Sequence, residues 1–499
     1  MILWGDLHNH CGISYGFGSL HNALKIARAH LDFCAITGHA MWPDIYKRNE
    51  DTAYIIDFHE AGFKKLERTW DKVRDTIARH NGQDLVTFQS YEMHSRFYGD
   101  HHIISPDDSL PLIYRDSPKE LVRGLGCEAI AVAHHIGYTP GYRGINWEHY
   151  DEEITPCIEV FSKHGCAMSA ASPYGYYHNM GPRDPRNTVY EGLKRGNRFS
   201  FLGSTDHHAG FPGSYGDGLT AVIAENKSRE AIWQALKAGR AYAVTGDRIA
   251  CDFTINTQPL GSCVHSAHRR IKLNVSAEDA IDKIIIYKNL KPLHVYCPES
   301  AVKKQPLKYK LRVETGWGYS EALYKWECSV EAREGSITGA NAYFRGRSVL
   351  SPTEKSEKSE DDINNIDVRI AESTPSSFRW VCETVKNKTT LHPQTDSAVI
   401  EIQGDDDTLL TITVNGITRT NTVRELLECG YSAHMKPYAS HAYLVHTMVP
   451  ECDYTANIEL DDSPSEKETD VYHAEIAQKN NQWAFISPIY AKAGGRGQS

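Results

Sequence analysis

From residue 1 to about residue 247, short apolar runs alternate with longer amphipathic segments. Residues 2–7, 32–37, 85–90, 129–133, 157–161, 199–202 and 241–244 read as strands. Between them, residues 20–31 have helical spacing behind a candidate Ser19 cap, and residues 54–80 read as one long charged helix. Ser117-Pro-Lys-Glu120 has the form of a capping box with proline at the first helical position, and residues 229–238 read as a further helix. Strand alternating with helix predicts a parallel sheet, open or closed into a barrel. After about residue 248 the rhythm changes. Residues 283–288, 325–331, 378–383, 398–402 and 409–414 are short, rich in β-branched or aromatic side chains, and separated by turn-prone clusters. That pattern predicts an all-β domain, a sandwich, over 248–490. Within it, residues 353–365 form a polar, charged run expected to be a flexible loop, and residues 491–499 are expected to be a disordered tail. The segment 483–490 is expected to return towards the domain junction.

Chemistry enters through where polar residues fall relative to the strands. Asp6-Leu-His8-Asn-His10 ends the first strand, and Ile36-Thr-Gly-His39 follows the second. Glu92, His134-His135, His164 and Asp206-His207-His208 each follow a later strand. Parallel strands in a barrel converge at their C-terminal ends, where active sites are built, so these six placements predict one cleft. Each piece alone has a plainer reading: Glu92 as a solvated carboxylate, His134 as a satisfied core histidine. Jointly they predict a metal cluster. His8 and His10, two apart on a strand end, point to one side and suit a single ion. Of the 25 histidines, seventeen precede residue 250, which concentrates the commonest transition-metal ligand in the first half.

Composition narrows the partners. A net charge of −10 argues against a nucleic-acid backbone as partner, yet allows a small anionic substrate at a metal cluster. The opening Met-Ile-Leu-Trp runs straight into the polar motif, with no leader pattern and no long apolar span, so no membrane is expected. Twelve scattered cysteines without a CxxC pair read as free thiols of a cytoplasmic protein. Composition leaves a homo-oligomer open.

The ordered set Asp6-Leu-His8-Asn-His10, Ile36-Thr-Gly-His39, Glu92, His134, His164 and Asp206-His207-His208 resembles the motifs of the polymerase and histidinol phosphatase (PHP) superfamily over about residues 1–245. Thr245-Gly-Asp-Arg248 and Asn481-Gln-Trp-Ala-Phe-Ile-Ser-Pro488 are similar to a subgroup with a C-terminal β-domain. The resemblance implies a distorted (β/α)7 barrel that binds two or three zinc, manganese or iron ions and hydrolyses phosphate esters. It implies one ion on His8, His10, Glu92 and Asp206, a second on Glu92, His134 and His164, and a third using His39 and His208. Tyr15 and Gly38 stand where many members have other residues, and both bear on the third site.

The expected mechanism is attack by a metal-activated water on a small phosphate ester, with Glu92 bridging two ions and His39 or His208 as the acid. Lys163, Arg143, Arg186, Tyr15 and His102 are candidates for substrate binding, and Arg183 lies in the same loops. His135 and His207 are alternates to the ligands beside them. The same site could serve a sulfate ester, a phosphonate or an amide. Two other readings are an amidohydrolase, which would carry a bridging lysine in the middle of the set, and a non-catalytic metal-binding interaction protein.

Overall fold

The computed structural model describes residues 1–172, 183–298, 308–318, 322–347, 349, 366–387, 393–436 and 440–493. The expected loop at 353–365 falls outside these residues, as do residues 494–499.

The first half forms strands β1 (Ile2–Asp6), β2 (Phe33–Ala35), β3 (Gly38–Met41), β4 (Val86–Met93), β5 (His101–Ser105), β6 (Ile130–Ala133), β7 (Cys157–Ser162), β8 (Gly165–Cys166), β9 (Ser200–Gly203), β10 (Leu219–Ile223) and β11 (Ala241–Val244). Helices α1 (Leu20–His30), α2 (Ala53–His80), α3 (Pro118–Gly124), α4 (Val189–Lys194) and α5 (Arg229–Lys237) lie between them. The caps are where the sequence puts them: Ser19, Ser117 and Ser228 accept the backbone N–H three residues on. In α2, the residues buried at three- and four-residue spacing from Ile56 to Ile77 form the apolar face.

The regular strand–helix repeat of a (β/α)7 barrel is not seen among the described residues. The sheet is mixed: β1, β2 and β4 run parallel, β5 is antiparallel to both β4 and β6, and β6, β7 and β9 are parallel again. The link from β4 to β5 is too short for a crossover helix, so the chain turns back on itself. Beyond β1 the sheet continues through antiparallel β10 and β11.

The C-terminal half is all-β apart from short helices. A six-stranded sheet and a five-stranded sheet face each other across one core, with Val313 and Ile400 from the first meeting Trp326, Trp380 and Ile412 from the second. This sandwich is bounded by strands that belong elsewhere. Strand Trp483–Lys492 pairs with β11, placing Phe485 opposite Ala243, and strand Thr469–Gln478 pairs alongside it. Ala491 and Lys492, expected in a disordered tail, are the end of that strand, because their backbones pair with Asp470 and Thr469. Sixteen strands from both halves therefore share one sheet.

The halves are also joined by a buried ion pair. Both Asp247 carboxylate oxygens lie 2.7 Å from Arg312 Nη2, and Gln478 Nε2 and Asn480 Nδ2 each donate to Oδ2 at 2.7 Å. Tyr215 adds a 2.9 Å hydrogen bond to Oδ1.

Candidate metal centre

The site begins with how its backbone is joined. Asp206 N donates to His8 O at 2.7 Å and His10 N to His207 O at 2.8 Å, so the two His-rich segments lie side by side beyond β1 and β9. Asp6 is no ligand. Its buried carboxylate accepts from Thr205 Oγ1 at 2.6 Å, Thr205 N and Gly213 N, fixing one segment against the other. Asp206 and His135 both take left-handed backbone, φ +49° and +54°, which L-residues rarely adopt and which clusters at functional sites.

Four ligand-type atoms then converge. His8 Nε2 lies 3.1 Å from His10 Nε2, 3.6 Å from Glu92 Oε2 and 3.5 Å from Asp206 Oδ1. His10 Nε2 lies 3.3 Å from the same Glu92 oxygen and 3.1 Å from the same Asp206 oxygen. All four residues are buried. Donors about 2.0–2.2 Å from a tetrahedral ion sit about 3.3–3.5 Å from one another, the spacing seen here.

The far side of each imidazole shows what this spacing means. Glu159 Oε2 accepts from His8 Nδ1 at 2.8 Å, so the Nε2 lone pair of a neutral His8 faces inward. Thr37 gives its hydroxyl hydrogen to Asn9 O at 3.0 Å, which leaves Oγ1 free to accept from His10 Nδ1 at 3.5 Å. With both imidazoles neutral, two lone pairs and two carboxylate oxygens would face one another. In the chain without an ion, burial works against a charged His8, but Glu159, Asp206 and Glu92 outweigh it and raise the His8 pKa well above its ordinary value, so a proton stands where an ion would. A cation resolves that repulsion, so the residues fit a metal ion.

Glu92 carries a second set on its other oxygen. Oε1 is 3.2 Å from His134 Nε2 and 3.3 Å from His94 Nδ1. Asp206 Oδ2 meets His164 Nε2 at 2.9 Å and His135 Nε2 at 3.3 Å. The structure therefore puts His134 on Glu92 and His164 on Asp206. His39 Nε2 is 3.5 Å from Glu92 Oε2 and groups with His10 and His208.

Charge follows from these contacts. Burial works against the charged form of Glu92 and Asp206, but neighbouring imidazoles hold both carboxylates well below the usual range. Burial, reinforced by the charges of His8 and His135, pushes His134 down to about 3, and burial takes His164 to about 4. Both are neutral, as a ligand must be.

Sequence reasoning missed three members. Glu159, on β7, holds His8. Asp100 accepts from His135 Nδ1 and Arg143 Nη1, each at 3.0 Å, and lies 3.3 Å from His94. His94 sits two residues from Glu92 on the same side of the chain, a spacing the sequence displays. Tyr15 stacks on His39 with centroids 3.7 Å apart, and its hydroxyl donates to His94 Nε2 at 2.8 Å. Gly62 of α2 permits this, since a Cβ there would lie 2.5 Å from the Tyr15 ring.

The other candidates are scattered. Arg143 is held by Asp100. His102 is fully buried behind the cluster, stacked on His8, with Nδ1 3.4 Å from His134 Nδ1. Arg183 is buried and donates to the backbone oxygens of His164 and Cys166. Arg186 is 89% exposed and paired with Asp184. His207 turns from the cluster towards Phe211 and Gly346. Lys163 is at the cluster, with Nζ 2.9 Å from His208 Nδ1.

Among known proteins, no family model matches the chain. Proteins described as uncharacterized in Chlamydia pneumoniae and Chlamydia muridarum are 30% and 29% identical over 174 residues. Those matches take in 32% and 31% of this chain and span only 28% of the length of each relative. The chain is also similar to a Bacteroides vulgatus two-domain protein containing a predicted PHP-like metal-dependent phosphoesterase, known from a crystal structure. That likeness is 16% identical, covers 59% of this chain and 85% of the other, and has a TM-score of 0.32.

All twelve cysteines are free thiols. No described helix is long and apolar enough to cross a membrane.

Replacing Glu159 with alanine removes the group that orients His8 without touching a ligand. We expect metal affinity to fall about 10–100-fold, measured by chelator competition, with the folded state retained. Unchanged affinity would separate Glu159 from the metal centre.

Proposed function

We propose that this protein is a metal-dependent phosphoesterase acting on a small anionic ester. The observation that carries the reading is the quartet His8, His10, Glu92 and Asp206: four buried ligand-type atoms at ligand spacing. Imidazole and carboxylate together suit zinc, manganese or iron. His8, His10, Glu92 and Asp206 would hold one ion; Glu92 Oε1 with His134, and Asp206 Oδ2 with His164, offer donors for a second. Such ions supply Lewis acidity towards phosphoryl oxygens and lower the pKa of a water they hold.

The chain's own groups do the remaining work. Glu159 and Thr37 fix the tautomers of His8 and His10. Arg143 neutralises Asp100, which in turn orients His135 and His94. His208 Nδ1 lies 2.9 Å from both Lys163 Nζ and the Asp206 backbone oxygen, which hold the ring with Nε2 free of these two contacts. His208 would either join His10 and His39 around an ion or, protonated, serve a leaving oxygen. Burial lowers the Lys163 pKa, while Asp206 and Asp217 raise it.

Exhaustive demetallation should abolish hydrolysis, and manganese or zinc should restore it. The assay screens phosphomonoesters, phosphodiesters, sulfate esters and amides. Full activity without metal counts against the reading, as does turnover of sulfate esters or amides alone.

A further inference from the structure

A cavity of about 430 Å³ lies on the opposite side of β5 from the metal centre, a size within the roughly 300–1,000 Å³ usual for small-molecule sites. His101 and His102 are consecutive on that strand, so their side chains point to opposite faces. His102 stacks on His8 in the cluster; His101 faces away from it and lines the cavity. Ile154, also in the lining, shares a core with Ile103, two residues on from His101. A short backbone ribbon separates cavity from cluster. Asn146 N donates to Tyr98 O at 3.2 Å and Asp100 N to Arg143 O at 3.3 Å. Asp100 and Arg143 of this ribbon serve the cluster, whereas Tyr98 and Asn146 line the cavity.

Two polar groups of the lining are fixed at one end and open at the other. His101 is 5% exposed, and its Nδ1 donates to Gly99 O at 2.9 Å. Nε2 therefore holds the lone pair; it has no partner among the described residues and is reached from the cavity. Burial pushes the His101 pKa down to about 4, which keeps the ring neutral and the lone pair available near neutral pH. Asn146 Oδ1 accepts the Glu148 N–H at 3.2 Å, which leaves Nδ2 as a donor without a protein partner. Ile145 and Ile154 supply apolar contact. At the rim, Asp151 already takes Lys119 at 2.7 Å, whereas Glu120 and Glu148 have no basic group within 4.0 Å among the described residues. The excess of acid disfavours an anion, so this is no second seat for the substrate of the metal centre.

We infer that this cavity is a second ligand site, for a small uncharged nitrogen heterocycle that gives an N–H to His101 Nε2 and accepts from Asn146 Nδ2. A buried lone pair and an amide donor in one cavity call for a ligand that carries both a donor and an acceptor, and the isoleucines suit its ring. Nucleobases have such edges. The inference stands apart from the phosphoesterase reading. Its ligand rests against the ribbon that positions Asp100 and Arg143.

The test follows 9-methyladenine, which carries an exocyclic amino group beside ring acceptors, by ligand-detected NMR on metal-loaded protein. Its control is 6-dimethylamino-9-methylpurine, which keeps the ring and the acceptors but has no N–H. Wild type should bind the first, and the second at least about fivefold more weakly. His101→Phe keeps a ring without the acceptor, and Asn146→Asp keeps the oxygen that meets Glu148 N without the donor. Each should weaken 9-methyladenine at least about fivefold, with metal content unchanged. The inference is overturned if wild type does not bind 9-methyladenine, if the donor-free purine binds as well, or if either variant binds like wild type. Displacement of 9-methyladenine by orthophosphate would place it at the metal centre and overturn the inference too. If a variant loses metal or fails to fold, the comparison of the two purines and the orthophosphate competition on wild type still decide.

Discussion

Glu92→Gln protein should fold, lose at least one equivalent of metal, and hydrolyse its best substrate on the order of 10^3-fold more slowly. Glu92, like Asp206, meets five imidazoles. Oε2 meets His8, His10 and His39, and Oε1 meets His134 and His94. Glutamine keeps the shape and one acceptor oxygen but removes the negative charge and presents N–H groups to imidazole lone pairs. Two ion positions are therefore damaged by one substitution. Metal analysis of purified protein, read beside kcat and KM, checks the result. Full metal content with full activity would remove Glu92 from the centre. Retained metal with lost activity would restrict its role to the reaction.

The second large effect is on stability. Asp247→Ala should destabilise the protein by about 3–5 kcal/mol, the cost of leaving a buried charge uncompensated. Against a total of roughly 5–15 kcal/mol, that is a large fraction. Arg312 would lose both carboxylate contacts in a fully buried position, and Gln478, Asn480 and Tyr215 would lose a shared partner. Replacing both members of the pair by apolar residues, Asp247→Leu with Arg312→Met, should recover much of the loss.

The pH dependence has a definite sign. Burial, the largest single influence, opposes the Asp247 charge, but Arg312, Asn480 and Gln478 together hold the carboxyl below its ordinary value. Its contribution is complete above the unfolded value of about 3.9 and is lost as pH falls through the lower folded value. Wild type and Asp247→Ala should therefore differ by a constant amount in denaturant titrations near neutrality and converge only below about pH 4. A gap that closes already at pH 6 would contradict the assignment.

Much of the site was legible because its signals are local. His8 and His10 are two apart, and each further motif follows its own apolar run. Reading the runs as strands was enough to predict one cleft. The α2 face, the serine caps and the strand at residues 409–414 were legible for the same reason, since periodicity and capping act within a few residues. Glu159 was not legible. A carboxylate within the apolar stretch Cys157–Ser162 can face solvent or core, and period-two alternation does not say which. β5 was not legible either, because the stretch His101–Ser105 shows no clear strand or helix period, and its short antiparallel return breaks the alternation that predicted a barrel. His94 could have been found, standing at the strand spacing from Glu92.

What the sequence by itself determined is the inventory of the centre: imidazoles and carboxylates at strand ends in the first half, and a β-rich second half. Only the tertiary structure decided which atoms meet. Asp206 lies beside His8 because their backbones pair, His8 faces inward because Glu159 holds its other nitrogen, and residues 344–347 reach His207 because Gly346 lacks a Cβ. Each of these contacts joins parts of the chain far apart in sequence. Their meeting depends on sheet order and packing, which no local pattern encodes.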